Sequence, residues 1–189
     1  MCDGRALSAA VDHWIPIKDA AQDEAGPFSG IPASSGVYVL RVSKVGTTDL
    51  DRVKEKFSSS RFMKIRDRMD DSSGAMFTEL GLGEGQGWTL SDFYRRRLAR
   101  VDRIAIKRGT LTCPIIYIGK ANSLQRRLNE LAFDGHTINA PFWALLMSGW
   151  EFEVGCKKTR KKAETSEEAR LKSIYRDLHG NGFPPLVQR

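Results

Sequence analysis

The chain has 189 residues, 41% of them hydrophobic and 28% charged, with a formal net charge of +7. That is long enough for one domain with a real core, and the balance is that of an ordinary soluble protein. No apolar run approaches the roughly 20 residues needed to cross a bilayer. The first residues carry no basic-then-apolar secretion signal. Cys2, Cys113 and Cys156 are too scattered for a zinc knuckle or a disulfide framework, so reduced thiols in the cytoplasm are the expectation.

Residues 1–35 form an N-terminal arm and hold two Lys/Arg against five Asp/Glu, a net −3. The arm should be irregular, with a short helix near Leu7 to His13 and breaks at Pro16, Gly26, Pro27, Gly30 and Pro32. Trp14 and Phe28 are the side chains expected to pin it down, and His13 is expected to be structural. Ser35 then opens GVYVLRV, residues 36–42, a β-branched and aromatic strand. Residues 43–110 are charge-rich: residues 41–110 hold sixteen Lys/Arg against ten Asp/Glu, a net +6. Residues 50–69 read as a helix and residues 70–90 as a glycine-rich loop. GLGEGQG lacks the preceding strand of a dinucleotide fingerprint. Thr89 or Ser91 can cap a helix from Asp92 to about Ala105. Its apolar face is Tyr94, Leu98, Val101 and Ala105, and Arg95, Arg96, Arg97, Arg100 and Arg103 take the remaining arc.

Residues 111–189 hold twelve Lys/Arg against eight Asp/Glu, a net +4. LTCPIIYIG, residues 111–119, reads as a second strand. Residues 122–133 read as a helix with Leu124, Leu128 and Leu131 on one face, and residues 140–148 as a buried helix started by Pro141. Phe142, Trp143 and Met147 there are expected in the core. WEFEVGCK, residues 150–157, alternates as a third strand. KKTRKK, residues 157–162, is a basic turn, either a solvated tip or a nucleic-acid contact. Glu164 to His179 is a final helix with Leu171, Ile174, Tyr175 and Leu178 facing inward. Clustered positive charge attracts phosphate backbones, although solvated helix faces have the same composition.

GVY at 36–38 and YIG at 117–119 resemble the two half-motifs of the GIY-YIG nuclease superfamily. Arg127 stands ten residues after Tyr117, within K-A-x-x-L-x-x-R-L from Lys120 to Leu128, and Glu168 with Leu171 and Tyr175 is similar to that family's E-x-x-L-x-x-x-Y helix. The resemblance implies an α+β fold: a small antiparallel sheet of about three strands flanked by helices. A single domain would span 1–189, with a largely helical insertion at 43–110 and the main catalytic part at 111–189. It implies a DNA endonuclease using Mg²⁺ or Mn²⁺. Glu168 would be the metal ligand, with Glu167 as its rival, Arg127 would grip the phosphate, Tyr38 would help deprotonate water, and Tyr117 would orient it. Lys120, Arg126, Arg96, Arg100, Lys158 and Arg160 would bind DNA.

Three features depart from the pattern. Tyr38 and Tyr117 are 79 positions apart. The histidine usual close behind the arginine is replaced by Leu131, and the nearest candidate, His136, is either an acid–base group or a loop histidine that caps the next helix. The usual P-x-x-N is Pro185-Leu186-Val187-Gln188. Cutting both strands with one site per chain would favour a homodimer or sequential nicking. A nucleic-acid-binding module without turnover, and a partner-binding scaffold built on the arm, are the competing readings.

Overall fold

The computed structural model describes residues 5–47, 52, 113–132, 138, 142 and 145–187. The expected helix at 92–105 with Arg96 and Arg100, most of the 43–110 insertion, His136, Trp143 and Gln188 lie outside the described residues. The elements run α1 (Arg5–Ser8), β1 (His13–Pro16), α2 (Ile17–Ala21), β2 (Gly36–Lys44), β3 (Ile115–Ala121), α3 (Leu124–Ala132), β4 (Glu151–Lys158) and α4 (Glu164–Leu178). Residues 142 and 145–147 are also helical. No helix among the described residues is long and apolar enough to cross a membrane.

The sheet is antiparallel with strand order β1-β4-β2-β3. It therefore has four strands rather than about three. The extra one comes from the arm, where a strand rather than a helix holds His13, paired with Cys156. Four residues ending in proline are too short to read as a strand alone, and the ladder along β4 supplies what local propensity lacks. The second strand starts at Ile115 rather than Leu111, after Pro114, which has no N–H to give to a ladder. The first strand runs on to Lys44, so any insertion begins beyond it.

Side chains alternate across β2 and divide the core in two. Tyr38 and Leu40 face a larger cluster with Leu124, Leu128 and Leu131 of α3 and with Phe28 and Ile31 of the arm. Val37 and Val39 face a second cluster with Leu7, Ile118 and with Leu171 and Tyr175 of α4. A bulge between Leu40 and Arg41 lets Ile116 join the first cluster while Ile115 returns to the second. Each fully buried leucine of α3 is worth roughly 1.5–3 kcal/mol of transfer free energy. Leu124, Leu128 and Leu131 recur at i, i+4 and i+7, and this stripe fixes the rotation of α3 about its axis. Met147, expected in the core, is 43% exposed, because its neighbours Leu145 and Phe142 take the inward positions.

Candidate active site

Two glycines decide how closely the pieces approach. A side chain at Gly36 would strike the Lys157 carbonyl and come within 2.7 Å of Leu124, so the start of β2 must be bare for α3 to dock. Gly119 pairs with Tyr38 across the ladder. A β-carbon there would lie 2.6 Å from the Tyr117 ring and 2.8 Å from the Tyr38 hydroxyl. The missing side chain is the space in which the two phenols meet. Their ring centroids are 5.7 Å apart, inclined at 33°. A separation of 79 positions in sequence is thus no separation in the fold.

Arg127 joins the pair from α3. The hydroxyl of Ser123 accepts the Arg126 N–H at 3.4 Å, a capping contact, and the arm satisfies two more free amides: Leu124 N–H donates to Ser34 O at 3.0 Å and Gln125 N–H to Pro32 O at 3.3 Å. The arm therefore sets the first turn of α3, and with it Arg127. The guanidinium donates from Nη1 to Glu130 Oε2 at 2.6 Å and also bonds the Tyr38 hydroxyl. Burial works against its charge, but the Glu130 and Tyr38 contacts outweigh it and leave its pKa raised. Arg126 pairs with the same Glu130.

Tyr38 differs from its expected part. It is fully buried, and burial first, then Tyr117, push its phenol well above the ordinary range, with Arg127 opposing. A covered, hard-to-ionise phenol is unsuited to taking a proton from water and well suited to donating a hydrogen bond. Tyr117, only partly buried, is the phenol that solvent reaches.

The acidic half lies on the other face of the sheet. Lys120 and Lys157 both pair with Val37 and so share the α4 face. Lys120 Nζ donates to Thr165 Oγ1 at 2.8 Å and stands 4.0 Å from Glu168 Oε2. Glu168 Oε1 accepts from Lys172 at 2.8 Å. Glu167 points elsewhere: it bonds Lys157 at 2.8 Å and Arg170 at 2.7 Å, and the Arg170 and Lys157 bonds lower its carboxyl to about 2. The structure thus separates two glutamates that helical periodicity left equivalent. Glu168 neighbours the end of the YIG strand, and Glu167 is saturated with cations. Neither pairs with Arg127, whose carboxylate partner is Glu130.

The candidate residues fall into two separate groups, Tyr38–Tyr117–Arg127 on one face of the sheet and Lys120–Glu168 on the other. Both sit at the same end of β3, the outer strand, and among the described residues no strand lies beyond it. The Lys158–Lys162 turn closes the same end. Among the described residues, Lys158, Arg160, Lys161 and Lys162 form no ion pair, and Lys162 holds a left-handed backbone (φ 74°). No group of three or more His, Cys, Asp or Glu side chains forms a ready-made metal site among the described residues. The donors present are carboxylate oxygens, which suit a hard divalent cation, and Oε2 of Glu164, one turn before Glu168, is buried with no hydrogen-bond partner among the described residues. Glu164 had no place in the sequence motifs. The signal was its spacing, four residues before Glu168 on the inward stripe that continues to Leu171 and Tyr175.

No family model, curated protein or solved structure matches the chain.

Proposed function

We propose that the protein is a metal-dependent endonuclease of GIY-YIG type that hydrolyses phosphodiester bonds in DNA. One observation carries the reading: two tyrosines from distant parts of the chain meet over Gly119 with Arg127 bonded to one of them. They stand at the end of the sheet where unpaired cations gather. An in-line displacement at phosphorus needs charge stabilisation and an oriented nucleophile.

In this reading Arg127 offers its remaining N–H groups to the non-bridging oxygens, and its planar fork matches them. Glu130 and Tyr38 hold the fork in place. Tyr38 stays neutral and donates, and Tyr117 contacts and orients the attacking water. Lys120 places positive charge at the strand edge. Glu168 would hold Mg²⁺ or Mn²⁺, which when bound polarises the phosphate and steadies the leaving oxygen. Lys158, Arg160 and Arg126 contact the backbone of the bound DNA.

The test is cleavage of supercoiled, linear and branched DNA with Mg²⁺ or Mn²⁺ against chelator. Metal-dependent cutting that disappears in Arg127→Ala and Glu168→Ala supports the assignment. Equal cutting by wild type and both variants defeats it. A second reading, a nucleic-acid-binding module without turnover, is favoured by the burial of Tyr38 and by the lysines around Glu168. It predicts salt-dependent DNA binding with no metal-dependent product.

A further inference from the structure

Glu168 by itself is a poor cation ligand. Lys172 sits 2.8 Å from one oxygen and Lys120 4.0 Å from the other. One carboxylate against two ammonium groups leaves net positive charge where a divalent ion must come. Glu164 changes this balance. It is 7% exposed, and among the described residues its Oε2 has no hydrogen-bond partner. A buried carboxylate oxygen with nothing to accept from is costly, and a fold that retains one is using it or has it compensated. Glu164, Glu168, Leu171 and Tyr175 follow one another at i, i+4, i+7 and i+11, and Leu171 and Tyr175 are buried against the sheet. The two carboxylates therefore stand one above the other at the sheet-facing start of α4. Lys120 is held aside there by its bond to Thr165, the residue between them in height. Among the described residues Glu168 Oε2 has only the 4.0 Å approach of Lys120, beyond hydrogen-bond reach.

We propose that Glu164 and Glu168 together form the carboxylate pair that holds one divalent cation at the edge of β3. This rests on the nuclease reading and extends it from one protein ligand to two. Two carboxylates cancel the two lysines. One or two carboxylates are the usual protein share of a Mg²⁺ site, with water and substrate phosphate completing the shell. Glu167, one helical step away, takes no part, because Lys157 and Arg170 occupy it.

The experiment is a Mn²⁺ titration of the full chain without nucleic acid, read by the fall of the free-ion electron paramagnetic resonance signal. Wild type, Glu164→Gln, Glu168→Gln and, at the far end of the sheet, Glu151→Gln are compared. The expected result is a drop in affinity of roughly tenfold or more in each of the first two variants, the scale on which perturbing a metal's ligand environment acts. Glu151→Gln should bind as wild type. Melting temperatures without metal guard against misfolding. Glu164→Gln keeps the size and shape of the side chain, so its metal-free melting temperature should match wild type, while the Mn²⁺-induced rise in melting temperature should shrink. Wild-type affinity in Glu164→Gln overturns the pair, as does a drop in its metal-free melting temperature with binding intact. Wild type that fails to bind Mn²⁺ at millimolar concentration overturns it too. The DNA cleavage assay is independent: cutting by wild type with unchanged Mn²⁺ binding in Glu164→Gln leaves the nuclease reading standing and removes only Glu164.

Discussion

The two ends of the sheet are built from similar residues and arranged differently. At the far end, two strand cations have an acid directly across the ladder: Arg41 bonds Glu153 at 2.6 Å and Lys44 bonds Glu151 at 2.7 Å. Arg41 also lies 4.0 Å over the ring of Trp14, tying the arm to β2. These are matched surface pairs that locally cancel. At the near end, around Gly36, Ala121 and Lys158, four cations of the β4–α4 turn have no partner among the described residues. There the acids Glu164 and Glu168 are tucked under α4 instead of facing them. Matched charge holds an edge in register. Unmatched charge of one sign leaves a field for something else to neutralise. The tyrosine pair and Arg127 lie at the unmatched end.

The largest effect is expected at Arg127. Arg127→Ala should lower DNA cleavage by about 10²–10³-fold, the scale of removing one transition-state donor. Lys44→Gln at the far end should leave the rate alone; single-turnover kinetics with metal measure both.

Gly119→Ala should destabilise by about 1–3 kcal/mol in denaturant unfolding, because the added methyl must displace one ring of the tyrosine pair. Its activity should fall further than its stability accounts for, since Tyr117 is the phenol that moves. Unchanged stability would mean that the two rings do not meet over Gly119.

Next come the free cations. Replacing Lys158, Arg160, Lys161 and Lys162 with Gln should reduce the slope of log affinity against log salt by about 0.9 for each phosphate no longer neutralised, or about 2–4 in all. An unchanged slope would place the DNA elsewhere.

The smallest effect concerns pH. The Lys157–Glu167–Arg170 cluster holds the Glu167 carboxyl at about 2 against an ordinary 4.5. A depressed carboxylate pKa stabilises the fold above the unfolded value, and that stability disappears as pH falls from about 4.5 to about 2. Glu167→Gln should flatten the stability profile in that window and leave the profile near neutrality parallel to wild type. Acid titration followed by circular dichroism would show it.

Much of this was legible in the residues. GVYVLRV, PIIYIG and EFEVGCK announced three strands by β-branching and alternation, and the Leu124–Leu128–Leu131 stripe announced α3. The arm was less legible, because His13-Trp14-Ile15-Pro16 becomes a strand only when β4 offers it a ladder. The part played by Tyr38 was hidden for a related reason. A tyrosine in a strand gives no sign of how deeply its hydroxyl is covered, and depth moves its pKa upward. Nor could helical spacing choose between Glu167 and Glu168, which differ by one 100° step.

Local pattern alone specified β2, β3, β4, α3 and α4 and their order, because periodicity and turn residues act within a few positions of the chain. It also specified the chemical inventory: two strand tyrosines, an arginine ten residues after the second and a late acidic helix. The tertiary structure alone decided which of these meet. The ladder between β2 and β3 brings Tyr38 onto Gly119. The arm's carbonyls set the first turn of α3, and the strand lysines sort the glutamates, Lys157 taking Glu167 and Lys120 standing beside Glu168. Each of those outcomes depends on contacts between residues far apart in the chain, whose geometry no local pattern encodes.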